Sequence, residues 1–134
     1  MKCSLYIDGA SRGNPGNSGV GYVIKNAKGH EVGSGSQYIG IQTNNFAEYS
    51  ALLKGLELSY DIGVRDIEIL SDSQLLVRQI QGVYKVRSHN ILPLYQKATK
   101  LLGNFNSATI IHIEREANRE ADKLANLAID REMK

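Results

Sequence analysis

Cysteine is almost absent from this chain, and its scarcity limits the chemistry available. Cys3 is the single cysteine among 134 residues, so neither an internal disulfide nor a cysteine-based metal site can form. A reducing compartment is the natural inference. No apolar run approaches the ~18 residues of a membrane span, and the N-terminus lacks the long apolar core of a signal peptide. We therefore expect a cytoplasmic protein that makes no membrane contact.

A strong net charge is also absent. The formal net charge is +2, from 16 Lys and Arg against 14 Asp and Glu. The chain as a whole is therefore not a polycation, and any surface for nucleic acid must come from local clustering. Hydrophobic residues make up 42% and charged residues 22%, close to the globular averages of about 45–50% and about 25%. This length and composition predict a single domain, residues 1–134, with one core.

The order of apolar patterns predicts an α/β domain with a mixed sheet. Three antiparallel strands come first, the first ending at Asp8, the second covering 19–25 and the third about 30–39. A helix capped by Thr43 or Asn44 follows, then a strand at 66–72 and a short helix capped by Asp72 or Ser73. The remaining elements are a helix capped by Asn90, a strand at 109–113 and a final helix whose buried face is rich in Ala.

Four acidic residues stand at strand ends or beside the buried faces of helices: Asp8, Glu48, Asp72 and Asp122. Ordinary explanations exist for single members, such as a turn at Asp8, a helix-dipole contact at Glu48 and an N-cap at Asp72. If the four converge, they repel one another unless cations lie between them. Oxygen ligands without His or Cys suit Mg²⁺ or Mn²⁺. Two such ions about 3.5–4 Å apart are a common arrangement for in-line attack on a phosphodiester.

Two further features carry weaker signals. The segment 82–89 is basic and contains an aromatic residue, so Tyr84 could contact bases or sugars while Lys85 and Arg87 contact phosphates. An ordinary solvated loop explains it equally well. His112 alternates with apolar neighbours in the last predicted strand, which indicates a structural residue rather than a ligand.

The chain resembles the type 1 ribonuclease H family over essentially its whole length. Four motifs occur in the family's order and carry its Asp-Glu-Asp-Asp set: 6–16 (YIDGASRGNPG), 43–48 (TNNFAE), 71–74 (SDSQ) and 118–125 (NREADKLA). The resemblance implies the ribonuclease H-like fold, a five-stranded mixed sheet with strands one to three antiparallel and flanking helices. It also implies hydrolysis of the RNA strand of an RNA–DNA hybrid with two Mg²⁺ ions, for which Mn²⁺ could substitute.

The same resemblance implies a role for each matching residue. Asp8 is the shared ligand of the two metals, and Glu48, Asp72 and Asp122 complete their shells. Four amides match positions that contact the minor groove and sugars: Asn14, Asn44, Asn45 and Gln74. Thr43 matches a phosphate contact on the DNA strand. Amides can donate to and accept from a 2′-hydroxyl, so cleavage by a monomeric enzyme of this kind is expected to be largely independent of sequence.

The chain departs from many family members in two places. The Trp- and Lys-rich insertion between the second and third helices is reduced to the short stretch 84–89, and the loop before the last helix is short and lacks a His. Arg115 occupies that loop and is predicted to hold a phosphate oxygen, or else to pair with Glu114 or Glu116. Two alternative functions stay open: a catalytically silent hybrid-binding protein, and another nuclease of the superfamily such as an integrase or junction resolvase.

Overall fold

A five-stranded mixed sheet forms the centre of the protein. The computed structural model describes residues 1–134. Its strands are β1 (Lys2–Gly13), β2 (Gly16–Asn26), β3 (Glu31–Gln42), β4 (Asp66–Ser71) and β5 (Ser107–His112). They lie in the order β3-β2-β1-β4-β5. β1, β2 and β3 pair antiparallel, whereas β4 pairs parallel with both β1 and β5. The predicted sheet is therefore confirmed.

Helices cover the sheet and follow the predicted order. They are α1 (Asn44–Asp61), α2 (Gln74–Ile80), α3 (Leu92–Leu102) and α4 (Arg119–Glu132), the last preceded by a 3-10 turn at Arg115–Asn118. Thr43 caps α1 and Ser73 caps α2, each side-chain oxygen accepting a backbone N–H three residues on. The predicted cap at Asn90 is wrong, because α3 begins after Ile91 without a side-chain cap. None of the helices is long and apolar enough to cross a membrane.

The main core lies between α1 and one face of the sheet. Leu5 and Ile7 of β1 pack there with Leu52 and Leu56 of α1, and all four side chains are almost completely buried. Gly55 of α1 faces the Leu5 side chain, so the helix approaches the strand closely. Tyr60 follows Leu52 and Leu56 at helical spacing, which is typical of a buried residue, but it is 38% exposed near the end of the helix.

The helix α4 lies unusually close to β2. A Cβ atom at Gly19 or Gly21 would overlap the backbone of α4. The facing residues of the helix, Ala121 and Ala125, are small and fully buried. The Ala-rich face of the last helix is therefore buried, as the sequence predicted. Ala117 is exposed, because it lies in the 3-10 turn before the helix.

The strand β1 is longer than predicted. It continues past Asp8 to Gly13 and pairs with β2 over this whole length, from Cys3 opposite Asn26 to Gly13 opposite Gly16. The glycines at 9, 13 and 16 are typical of a loop, but antiparallel ladder bonds use only the backbone and so tolerate these residues. Asp8 therefore lies inside a strand rather than at its end.

Candidate active site

The sheet itself places Asp8 and Asp72 side by side. The parallel pairing of β1 with β4 ends at Ile7 opposite Ser71. Asp8 directly follows Ile7, and Asp72 directly follows Ser71. Beyond this point β4 stops, whereas β1 continues in its pairing with β2. Asp8 thus borders the gap that opens where its parallel partner ends.

Glu48 reaches the same place through a close contact between β1 and α1. The Gly9 N–H donates a hydrogen bond to Glu48 Oε1. Gly9 has no room for a side chain, because a Cβ atom there would overlap the backbone of Ala47 and Glu48. The first turns of α1 therefore rest directly on the residue that follows Asp8, and Glu48 is 3% exposed.

The carboxylates form one cluster. Ligand oxygens of Asp8, Glu48 and Asp72 all lie within 4.8 Å of one another. Asp122, in the first turn of α4, lines the same cavity, and its proximity helps to raise the pKa of Asp8. Asn126, one turn further along α4, donates from Nδ2 to Asp122 Oδ1 at 3.2 Å. The structure thus brings together all four acidic residues that the sequence singled out.

The cluster is electrostatically strained in the absence of a cation. Burial, followed by the charges of Glu48 and Asp72, raises the pKa of Asp8 well above its usual range. Burial also raises the pKa of Glu48, although the Gly9 N–H partly opposes this shift. No Lys or Arg forms a salt bridge with any of the four carboxylates.

The donor set suits divalent cations. Every candidate ligand is a carboxylate oxygen, the kind of ligand that Mg²⁺ and Mn²⁺ prefer. Glu48 Oε2 is buried without a hydrogen-bond partner, and such an orphaned oxygen is costly unless something binds it. A bound cation would satisfy this oxygen and offset the mutual repulsion of the cluster.

The cavity above the cluster measures about 470 Å³ and is largely polar. Arg115 lines it and forms no salt bridge with Glu114 or Glu116, the alternative partners considered from the sequence. Asn44 also lines it, at the start of α1. This leaves the Arg115 side chain on the cavity wall without an acidic partner.

The other predicted substrate contacts fall into two groups. Asn14 lies in the β1–β2 turn, and its Oδ1 accepts from the Asn44 N–H at 3.0 Å, so the turn docks on the start of α1. Thr43 and Asn45 lie in the same place, and Asn45 Oδ1 is buried without a partner. Gln74 lies apart from them, exposed at the start of α2 and not on the cavity wall.

Sequence reasoning missed several residues around the carboxylates: Arg12, His112, Asn118 and Asn126. His112, expected to be structural, is exposed and lines the cavity, because β5 ends level with β4 at the pair Ser71 and His112. The spacing of Asn126, four residues after Asp122, could have revealed it. Arg12 and Asn118 lie within the motifs 6–16 and 118–125, but neither residue was assigned a role from the sequence.

Comparisons with known proteins agree with this geometry. The family described as reverse transcriptase-like matches residues 6–128. Ribonuclease HI of Halobacterium salinarum is 43% identical over 93% of this chain. The crystal structure of RNase H1 from that archaeon has a TM-score of 0.95 at 41% identity, with 98% of this chain and 99% of that chain covered. LC11-RNase H1 in complex with RNA/DNA hybrid has a TM-score of 0.94 at 39% identity, with 98% and 99% covered.

The match extends over nearly all of this chain, but not over all of its relatives. The chain spans 63% of the length of the Halobacterium protein and 36% of a bifunctional protein of Mycobacterium tuberculosis. The residues of this chain that the family model matches, 6–128, contain Asp8, Glu48, Asp72 and Asp122. The chain therefore belongs to the type 1 ribonuclease H family.

Proposed function

We propose that this protein hydrolyses the RNA strand of RNA–DNA hybrids, with two Mg²⁺ ions held by Asp8, Glu48, Asp72 and Asp122. The observation that carries this proposal is the packing of three carboxylates within 4.8 Å without a basic partner. Such a cluster disfavours folding unless it binds cations. A family whose members include ribonucleases HI supports the same activity.

The four carboxylates have different surroundings and so different roles. The other three carboxylates all contribute to raising the pKa of Asp8, so Asp8 lies nearest the centre of the cluster. This makes it the best candidate for a ligand shared between two ions. Glu48 is held by the Gly9 N–H and presents its free oxygen to the cluster. When bound, the two ions supply an activated water and stabilise the departing oxygen of the phosphodiester. The protein orients the carboxylates and keeps the site polar and partly closed to solvent.

The amides at the start of α1 account for the choice of substrate. Asn14, Asn44 and Asn45 lie together near the cavity, and their side chains can both donate and accept hydrogen bonds. Contacts to 2′-hydroxyls and sugars distinguish RNA from DNA without reading bases. The solved complex of LC11-RNase H1 with an RNA/DNA hybrid supports this substrate class.

Action as a cytoplasmic monomer, with Mn²⁺ as a possible substitute for Mg²⁺, belongs to the same proposal.

A cleavage assay on matched substrates tests this function. One sequence is prepared as RNA–DNA hybrid, double-stranded RNA and double-stranded DNA, each incubated with Mg²⁺ and, separately, with a chelator. We expect Mg²⁺-dependent cuts in the RNA strand of the hybrid and none in double-stranded DNA. Equal cleavage of the DNA duplex would contradict the role of the amides. Tight hybrid binding without cleavage would instead assign the protein as a silent hybrid binder.

A further inference from the structure

The residue Asn118 connects three separate parts of the carboxylate cluster. It ends the 3-10 turn before α4 and is 1% exposed. Its Nδ2 donates to the Ile7 carbonyl oxygen at 2.8 Å and lies 3.4 Å from Asp72 Oδ2. Ile7 directly precedes Asp8, and Asn118 itself lies four residues before Asp122. One amide group therefore touches or adjoins the chain segments that carry three of the four carboxylates.

No other side chain makes this connection. Asn126 also contacts a carboxylate, Asp122, and accepts from Arg12 Nη2 of β1 at 3.2 Å, but it has no hydrogen bond to Asp72 or to the residues next to Asp8. The contacts of Asn118 join residues 111 and 46 positions apart in the sequence. They therefore connect the start of α4, and with it Asp122, to the ends of β1 and β4.

The chemistry of the amide suits this task. A neutral N–H group can orient the Asp72 carboxylate without neutralising the charge that a cation needs, whereas a Lys would compete with the cation. A carboxylate at this position would repel both the Ile7 carbonyl and Asp72. The amide has a cost, because Asn118 Oδ1 is buried without a hydrogen-bond partner. An apolar residue of similar size would fill the space but would donate to neither the Ile7 carbonyl nor Asp72, so packing alone does not explain an Asn here.

We propose that Asn118 is a positioning residue for the metal site, which sets the distance from Asp122 to Asp8 and Asp72 and holds the Asp72 carboxylate in its ligating orientation. This inference rests on the proposed two-metal function. Substitutions of groups that orient metal ligands commonly weaken metal affinity roughly 10–100-fold. We therefore expect the effect at Asn118 to appear in the Mg²⁺ response rather than in hybrid affinity.

The test compares Asn118→Leu and Asn118→Ala with a matched control, Gln79→Ala. Gln79 is another buried amide, whose Oε1 accepts from the Tyr49 hydroxyl at 2.9 Å, and it lies outside the cavity. Two quantities are measured: the rise in melting temperature with Mg²⁺ in the absence of substrate, and the Mg²⁺ concentration for half-maximal hybrid cleavage.

We expect both Asn118 variants to need roughly tenfold or more additional Mg²⁺ in both measurements, with the KM for hybrid little changed. Asn118→Leu should lose some stability without metal, because the Ile7 carbonyl loses its side-chain donor although the orphaned Oδ1 is also gone, so the Mg²⁺ midpoint is the deciding measurement. Gln79→Ala should lose stability but keep the wild-type Mg²⁺ midpoint.

Three results would overturn the positioning role. They are an unchanged Mg²⁺ midpoint in both Asn118 variants, an equal shift in Gln79→Ala, and failure of both Asn118 variants to fold, which would make the residue structural. If the wild type itself shows no Mg²⁺ response, the proposed function fails before the role of Asn118 is reached.

Discussion

Single carboxylates in this site differ in what surrounds them. Asp8 lies within a strand and is 6% exposed. Its pKa is raised by burial and by the neighbouring Glu48, Asp72 and Asp122. Asp122, on the first turn of α4, is only half-buried and is held by Asn126. A change at Asp8 therefore alters both the total charge of the cluster and the free energy needed to bury that charge.

We predict that Asp8→Asn abolishes hybrid cleavage while the fold persists. The substitution removes the charge at the centre of the ligand set, so metal binding weakens. Without metal, the melting temperature should rise, because one source of like-charge repulsion and one buried charge are gone. Asp61→Asn, at an exposed carboxylate ending α1, should change neither property. Near-normal cleavage by a folded Asp8→Asn protein would rule out the metal assignment.

A second prediction concerns Arg115. Its guanidinium stays protonated and cannot act as a base, but it can hold a phosphate oxygen and offset developing charge. We expect Arg115→Ala to slow cleavage roughly tenfold, which corresponds to about 1.4 kcal/mol of transition-state stabilisation. Arg115→Lys should recover part of the rate, measured at saturating Mg²⁺ and hybrid.

Arg119 provides the control for this prediction. It is exposed in the first turn of α4 and does not line the carboxylate cavity. Arg119→Ala should therefore have a much smaller effect on the rate than Arg115→Ala. A wild-type rate in Arg115→Ala would assign that residue to the solvated surface.

Among the elements, the contact between β1 and α1 has the most direct effect on the site. Gly9 allows the strand to touch the backbone of Ala47 and Glu48, and its N–H holds the Glu48 carboxylate. Gly19 and Gly21 allow a similar approach of α4 to β2 on the other side of the sheet. Both helices that bring a carboxylate to the cluster thus depend on glycines in the strands beneath them.

We therefore predict that Gly9→Ala greatly reduces cleavage and lowers the melting temperature. The added Cβ must displace the first turn of α1, which moves Glu48 away from Asp8; overpacking of this kind costs about 1–3 kcal/mol. Gly103→Ala is the matched control, because Gly103 has a φ of −65° and its Cβ would lie 3.4 Å from the nearest atom. A Gly9→Ala variant with wild-type stability and rate would show that α1 can shift without effect on the site.

For the molecule as a whole, the buried cluster links stability to pH. The pKa values of Asp8 and Glu48 are raised by burial and by their acidic neighbours, so the folded protein binds more protons than the unfolded chain. The stabilisation from these protons is complete below the unfolded pKa of about 4. It is lost progressively as the pH rises through the raised folded-state values.

The resulting prediction is a fall in the melting temperature of the metal-free protein between about pH 5 and about pH 9. The fall should be smaller in Asp8→Asn, which lacks one of the titrating groups. Saturating Mg²⁺ should remove most of it, because cations replace protons in offsetting the charge. Calorimetric scans across this range measure the effect. A melting temperature that is independent of pH in the metal-free wild type would contradict the buried, proton-binding cluster.

Much of the fold and of the site could be predicted from residues that act locally. Thr43 and Ser73 are recognisable helix caps, and the Leu spacing of α1 marks its buried face. Local pattern and the four motifs identified the carboxylates, and the short loop before the last helix drew attention to Arg115, which lines the same cavity. These features are readable because capping and amphipathic periodicity depend only on residues within a few positions of one another.

Other features depend on parts of the chain that meet only in the folded protein. The extension of β1 beyond Asp8 is decided by its pairing with β2, which overrides the glycine-rich composition. The exposure of His112 at the cavity follows from β5 ending level with β4. Asn118 reaches Ile7 across 111 residues, and no local pattern encodes such a contact. The sequence determined which residues carry the chemistry, whereas tertiary packing decided their burial, their charge coupling and the neighbours that hold them in place.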